Sequence, residues 1–364
     1  MAKSAIQWTD FTWNPLRARF GGKVGWSCVK VSEGCAHCYA EQQNRTARFG
    51  GTGLNYTVRS DEKVEHFLDE KTLAQPLHWC KPRRVFVCSM TDLFGEWVTD
   101  EQIDRVFAVM ALTPQHTFQV LTKRPERMRA YLASEVLRAP MAGIEEVADR
   151  MANGLRLRLP DPMPWPLPNV WLGTSVENQR CADERIPHVL ATLAAVHFIS
   201  VEPLLEAMNL RGYRDPVKRT NDANYLSPTL CVDEHGALYE RPALDWVVAG
   251  GESGPHARPF DLGWARSLRD QCAAAGVPFF MKQVGARVLG PDNPPVLRRW
   301  ILADGERTGE WVPLIIGRNA GVRPENAIGW VSANTHGADP AEWPDDLRKR
   351  EFPLARRHPG GPSA

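Results

Sequence analysis

Three cysteines dominate the chemistry this sequence could carry. Cys28, Cys35 and Cys38 lie in the run Gly25-Trp-Ser-Cys-Val-Lys-Val-Ser-Glu-Gly-Cys-Ala-His-Cys-Tyr-Ala-Glu41, with six and then two residues between them. The last cysteine leads into a helix expected to reach about Phe49, before Gly50-Gly51. A cubane cluster has four irons, so three thiolates leave one iron open to a substrate or cofactor. A helix start beside Cys35 and Cys38 also favours the thiolate form. Cys-x2-Cys is equally a zinc half-site, which is the alternative. A closed zinc site takes a fourth ligand, usually from a second close pair, and the sequence has no such pair. Cys80, Cys88 or a remote histidine could serve, whereas His37 is badly placed between two ligands.

A second set of candidates falls where apolar, β-rich runs give way to polar residues: Ser89 and Asp92; Thr122, Lys123 and Arg124; Ser175, Glu177 and Asn178; Glu202; Glu252 and Ser253; Lys282 and Gln283. In a β/α barrel the C-terminal strand ends converge on one mouth, where the chemistry sits. The plainer reading is a polar rim closed by Lys–Glu pairs. Four carboxylates and two lysines together ask for more, since burying them requires partners. Gly250 and Gly251 are expected to let a ligand approach the backbone closely.

The elements that would position these groups are legible as apolar runs separated by amphipathic stretches. The runs are Arg84–Ser89, His116–Thr122, Asn169–Thr174, Val196–Val201, Asp245–Gly250 and Val277–Lys282, with a first strand expected near Lys23–Cys28. Short buried runs alternating with helices predict a parallel α/β fold, here a partial (β/α) barrel. Thr99 and Gln102 form a capping box ahead of the stripe Ile103, Val106, Phe107 and Met110. Pro125 starts another helix, and Asp261 and Gly276 bracket a third. The expected organisation is a barrel over residues 1–288 with the cysteine loop at its N-terminus. An insertion at about 206–242 carries strand-like Thr229–Val232 and Ala237–Tyr239. A β and loop extension follows over 289–348, then a disordered basic tail over 349–364.

Composition fits a globular chain: 43% hydrophobic, 24% charged and a net charge of +1 over 364 residues. The near-neutral charge gives no field that would by itself select nucleic acid. Basic runs at Lys81–Arg84, Lys123–Arg129 and Arg348–Arg357 read singly as solvated faces. No apolar run approaches the roughly 20 residues that cross a bilayer, and the first residues lack the apolar core of a signal peptide. A reducing, cytoplasmic setting follows, so the eight cysteines are not expected to pair as disulfides. Cys80, Cys88, Cys181, Cys231 and Cys272 are expected to pack as small hydrophobic side chains. Most of the thirteen tryptophans, Trp171 and Trp246 among them, are expected in the core.

Cys35-Ala-His-Cys38-Tyr39-Ala resembles the end of the radical S-adenosylmethionine (SAM) signature, and particularly the spore-photoproduct-lyase-like branch. Leu121-Thr-Lys-Arg124 is similar to that branch's Leu-Thr-Lys-Ser strand end. Thr174-Ser-Val-Glu-Asn178, followed by Asp183, Arg185 and Pro187, is similar to its next strand and loop. From Trp13-Asn14-Pro15 to Lys282-Gln283 the chain also resembles a phage- and mobile-element-associated family of unknown function that bears this motif. The chain departs from the usual signature in its six-residue first spacing and in His37. The resemblance implies a radical SAM barrel with a [4Fe-4S] cluster on the three cysteines and S-adenosylmethionine as cofactor. It assigns Lys123, or Arg124, to the SAM carboxylate and places Ser89 and Asp92 by the methionine amine. Ser175, Glu177 and Asn178 fall to the ribose or methionine, and Glu202, Glu252 and Lys282 to substrate contact or proton transfer. Implied partners are an external electron donor and a substrate that the sequence does not identify, with a nucleic acid or nucleotide suggested by the family likeness. The competing reading is a zinc-stabilised nucleic-acid-binding protein without radical chemistry.

Overall fold

The computed structural model describes residues 4–46, 50–57, 64–137, 142–159, 161–212, 224–232, 238–241, 243–254, 256–290, 297–303, 308–313, 327–332 and 338–353. Its largest sheet has seven strands in chain order: β1 (Phe11–Trp13), β2 (Arg84–Val87), β3 (Thr117–Thr122), β4 (Val170–Ser175), β5 (Val196–Val201), β6 (Trp246–Gly250) and β7 (Phe279–Gln283). The sheet is parallel and curled into half a barrel, which agrees with the expected partial β/α barrel. Val85 pairs with both Phe11 and Phe118, and Phe118 with Val170, so the first four strands are in continuous register. Every residue of β4 and β5 is buried, as expected of strands covered on both faces.

Six of the seven strands lie on the expected runs, and the first does not. Lys23–Gly25 belongs instead to a three-stranded antiparallel sheet with Leu16–Phe20 and Glu65–Leu68. Gly21 and Gly22, both at positive φ, turn that hairpin. The strand that opens the large sheet is three residues long, too short for a periodicity signal, and Trp13 anchors it at full burial.

Helices α1 (Tyr39–Arg45), α2 (Asp100–Ala111), α3 (Pro125–Leu137), α4 (Ala142–Leu155), α5 (Gln179–Leu190) and α6 (Leu262–Ala275) separate the strands. Their ends follow the sequence signals. Thr99 and Gln102 form the reciprocal capping box, Asp261 caps α6, and Gly276 ends it in the left-handed region.

The described residues form two compact units, one of residues 4–174 and 185–198, the other of 175–184 and 199–353. In the first, Val85, Val87, Phe118, Val120 and Leu172 from the sheet meet Val106, Phe107 and Met110 of α2 and Met128 and Leu132 of α3. Each such side chain contributes about 1.5–3 kcal/mol on burial, which fixes the strand ends of this unit. In the second unit, Trp246, Val248, Phe280 and Met281 are buried, as are Ala265, Leu268 and Cys272 of α6.

The second unit also holds the hairpin of Thr229–Val232 with Leu238–Arg241, close to its expected place. A five-stranded sheet takes in Phe260–Asp261, Arg287–Leu289, Leu297–Ala303, Thr308–Pro313 and Ala327–Ser332. The expected tail is shorter than the sequence indicated. Lys349 O accepts from Met281 N and Glu351 N donates to Phe279 O, so residues 349–351 pair with β7, and residues 354–364 lie outside the described residues. Of the five scattered cysteines, Cys88, Cys181 and Cys272 are buried. Cys80 is exposed, because it sits in the turn before β2, and the Cys231 side chain lies outside the description.

Candidate functional site

The loop that carries Cys28 is fastened from several sides within the first unit. Trp26 N donates to Asn44 Oδ1 (3.0 Å), and Asn44, fully buried in α1, also donates to Thr52 Oγ1 and Leu54 O. Ser27 Oγ lies 2.6 Å from His66 Nε2, and Thr91 Oγ1 donates to Ser27 O. Beyond Cys28, Val29 O accepts from Arg124 Nη2 (3.2 Å), and Lys30 pairs with Glu41 at 2.6 Å. Glu41 in turn accepts from Tyr56 N, and Tyr56 OH donates to Met90 O.

Cys35 ends a short 3-10 turn over Glu33–Cys35, and Cys38 is the N-cap of α1. Cys28 and Cys38 pack against Ala40, Tyr56 and Met90. Burial pushes the Cys28 thiol up; the Asp92 carboxylate acts in the same direction and Arg124 against it. Burial also raises Cys38, while the amides of Glu41 and Ala40 turn toward its sulfur and oppose the rise. Cys35 and Cys38 both act on Cys28 electrostatically, so the three thiols share one neighbourhood.

Among the described residues, no three His, Cys, Asp or Glu side chains are grouped so as to hold one metal ion. The ligands of a multi-iron cluster sit on different irons, and so stand further apart than the ligands of a single ion. Three partly buried thiols, an apolar floor and amides aimed at one sulfur are a donor set of the type that suits such a cluster.

The strand-end residues of this unit are already engaged. Ser89 Oγ and the Asn14 side-chain amide exchange hydrogen bonds, and Tyr39 OH donates to Ser89 O at 2.6 Å. Asp92 accepts from Phe94 N, Thr122 Oγ1, Lys123 N and Arg124 Nη1. Arg124 also donates to Glu96 and stacks over Trp97. Asp92 and Arg124 therefore face each other, and Lys123, half-buried, follows Thr122 with its backbone N–H on Asp92.

The second unit holds the remaining candidates, of which Glu202 and Lys282 meet. Asn178 Oδ1 caps α5 through Cys181 N, and Glu177, fully buried, accepts at its carbonyl from Leu205 N. Ser175 is buried at the end of β4. Glu202 Oε2 accepts from Lys282 Nζ (2.9 Å) and Ser200 Oγ (3.3 Å). Glu252 is gripped by Arg258 through its guanidinium and its backbone N–H. Gln283 donates to Gly251 O and Ser253 Oγ.

Gly250 and Gly251 correct an expectation, since what comes close to them is the protein itself. A Cβ on Gly250 would lie 2.8 Å from Glu202 Oε1, and one on Gly251 would lie 2.4 Å from Val284 O. Sequence reasoning also passed over Asn14, Asn44, His66 and Tyr56. A readable signal existed for Asn44 alone, as an interior helical Asn whose side chain needs a partner.

Residues 3–307 match the family described as "Protein of unknown function (DUF5131)". No curated protein and no solved structure matches the chain. With that match running over most of its length, the chain belongs to the DUF5131 family.

Proposed function

We propose that this protein is a radical SAM-like iron–sulfur enzyme whose [4Fe-4S] cluster is held by Cys28, Cys35 and Cys38, with S-adenosylmethionine as its second cofactor. The observation that supports the reading is that Cys28, on an anchored loop, and Cys38, at a helix start, pack over Ala40, Tyr56 and Met90, with Cys35 close enough to act on Cys28 electrostatically. A cluster held by Cys28, Cys35 and Cys38 and reduced by an external one-electron donor would supply the electron for reductive cleavage of S-adenosylmethionine, the chemistry that would start radical reaction on the substrate.

The chain's own part is to bind, orient and exclude water. Cys38 presents its sulfur to the amides of α1, which stabilise charge there. Ala40, Tyr56 and Met90 keep the sulfur face dry. The sequence resemblance assigns the carboxylate of S-adenosylmethionine to Lys123, and Asp92 and Arg124 are committed to each other. By the sequence resemblance alone, Glu202 and Lys282, an ion pair within the second unit, are assigned with Glu252 to substrate contact or proton transfer. The substrate class in this reading, a nucleic acid or nucleotide, rests on the sequence resemblance.

The test is anaerobic reconstitution with iron and sulfide, followed by reduction in the presence of S-adenosylmethionine. The wild type should turn brown, hold about four irons and release 5′-deoxyadenosine. Changing all three cysteines to Ala should abolish both, whereas Cys272→Ala should retain them. Stoichiometric zinc in a colourless protein that binds nucleic acid would overturn the reading in favour of a zinc-stabilised binding protein.

A further inference from the structure

The buried pair of Asp92 and Arg124 has a geometry that ligand binding does not explain. Both side chains are 8% exposed and their charged atoms are 3.2 Å apart. The Asp92 carboxylate gathers donors from its own loop and from the end of β3: Phe94 N, Thr122 Oγ1 (2.7 Å), Lys123 N (3.0 Å) and the guanidinium. Arg124 carries that anchorage onward, with one nitrogen on Asp92, one on Glu96 and the third on Val29 O. Val29 follows Cys28 directly, and the guanidinium plane also covers Trp97. A planar fork with several fixed donors can hold three acceptors at once, which an ammonium on a flexible stem cannot.

We infer that Arg124, braced by Asp92, is the positioning residue of the cysteine loop: it fixes Cys28 against the end of β3 through the Val29 carbonyl. The loop's other fastenings act at Trp26 and Ser27 before Cys28 and at Lys30 after it. Arg124 is the one that joins the loop to the large sheet through a buried charge. As a statement about the cluster this rests on the function proposed above; as a statement about the loop it stands by itself.

The test uses the full chain carrying Arg124→Lys, which keeps the charge and loses the fork. Amide hydrogen exchange of residues 27–31 in metal-free protein should accelerate roughly ten- to hundredfold, the change that loss of one charge-assisted hydrogen bond gives. Exchange across β3 should not change. In reconstituted protein, iron should leave faster to a chelator, and the electron paramagnetic resonance signal of the reduced cluster should shift, which a merely structural role would not produce. Unchanged exchange at 27–31 in folded Arg124→Lys overturns the inference, as does a loosened loop with unaltered iron release and signal. Where that variant fails to fold, Asp92→Asn combined with Arg124→Met removes both charges together, a replacement that buried pairs tolerate. The same acceleration is then expected, and its absence counts equally against the inference. A wild type that takes up no iron overturns the proposed function, while the exchange result still decides the role of Arg124.

Discussion

Lys282 Nζ lies 2.9 Å from Glu202 Oε2 and ties the C-terminal end of β7 to that of β5 within the second unit. The other carboxylate oxygen, Glu202 Oε1, is buried and finds no hydrogen-bond partner among the described residues. The pair leaves one acceptor unfilled in a place where a carboxylate charge is costly. Its lysine is therefore the partner that keeps the charge tolerable.

Removing that lysine should cost more than removing the pair. Lys282→Met should lose about 1–3 kcal/mol in urea unfolding, a discount on a fully buried pair because both side chains keep some water contact. Adding Glu202→Gln should recover much of the loss. A double-mutant cycle with no coupling would show that the two groups do not depend on each other.

The two glycines at the end of β6 should respond unequally to Ala. At Gly251 the new Cβ meets backbone, the Val284 carbonyl at 2.4 Å, which cannot yield without moving the chain. At Gly250 the nearest atom is the tip of Glu202, a side chain that can turn aside. Gly251→Ala should therefore cost about 3 kcal/mol and Gly250→Ala about 1 kcal/mol, measured by chemical unfolding. Equal losses would mean that the Glu202 carboxylate is as immovable as backbone.

Much of this fold was legible because its physical causes are local. Buried parallel strands write themselves as apolar runs, and Thr99, Pro125, Asp261 and Gly276 mark helix ends by their own chemistry. The opening strand was missed because Phe11–Trp13 is three residues long, while the hairpin at Gly21-Gly22 gave a stronger β signal nearby. In the candidate site the cysteines stood out by spacing alone. What spacing could not show is which polar residues satisfy one another. Asp92 and Arg124 read as ligand-binding groups until their distance and shared burial were known. The same holds for Ser27 and His66, which lie 39 positions apart in the chain and meet only through tertiary packing.

Lys123→Ala should weaken S-adenosylmethionine binding without loss of iron. Its backbone N–H is committed to Asp92, so the position of the residue is set by a bond the substitution keeps. Loss of one charge-assisted contact to a carboxylate costs about 1.5–3 kcal/mol, or roughly ten- to hundredfold in affinity. Calorimetry on the reconstituted variant gives the answer, and unchanged affinity would remove Lys123 from the cofactor site.

Acid should loosen the C-terminal segment of the second unit through Asp346. Hydrogen bonds from Arg266 and then Arg269 of α6 hold its carboxyl down at about 2, against an ordinary value of 3.8. A carboxyl depressed on folding contributes stability that is present above the unfolded value and lost as pH falls through the folded one. The window is therefore from about pH 4 down to about pH 2. With its side chain 43% exposed, Asp346 should contribute less than about 1 kcal/mol at physiological salt. What it holds is larger than the bond itself. Trp343 is almost fully buried close by in the chain, and a few residues on, Glu351 O accepts from Trp246 Nε1 while Phe352 lies tilted against Trp246 and edge-on to Phe280. Amide exchange at Glu351 and Met281, which donate to Phe279 O and Lys349 O, should rise between pH 4 and 2 once corrected for intrinsic rates. Asp346→Asn should be looser at neutral pH and lack that acid step. If the variant keeps the wild-type acid step, another carboxyl governs the segment, and Glu351, whose side chain accepts from Phe279 N, is the next to test.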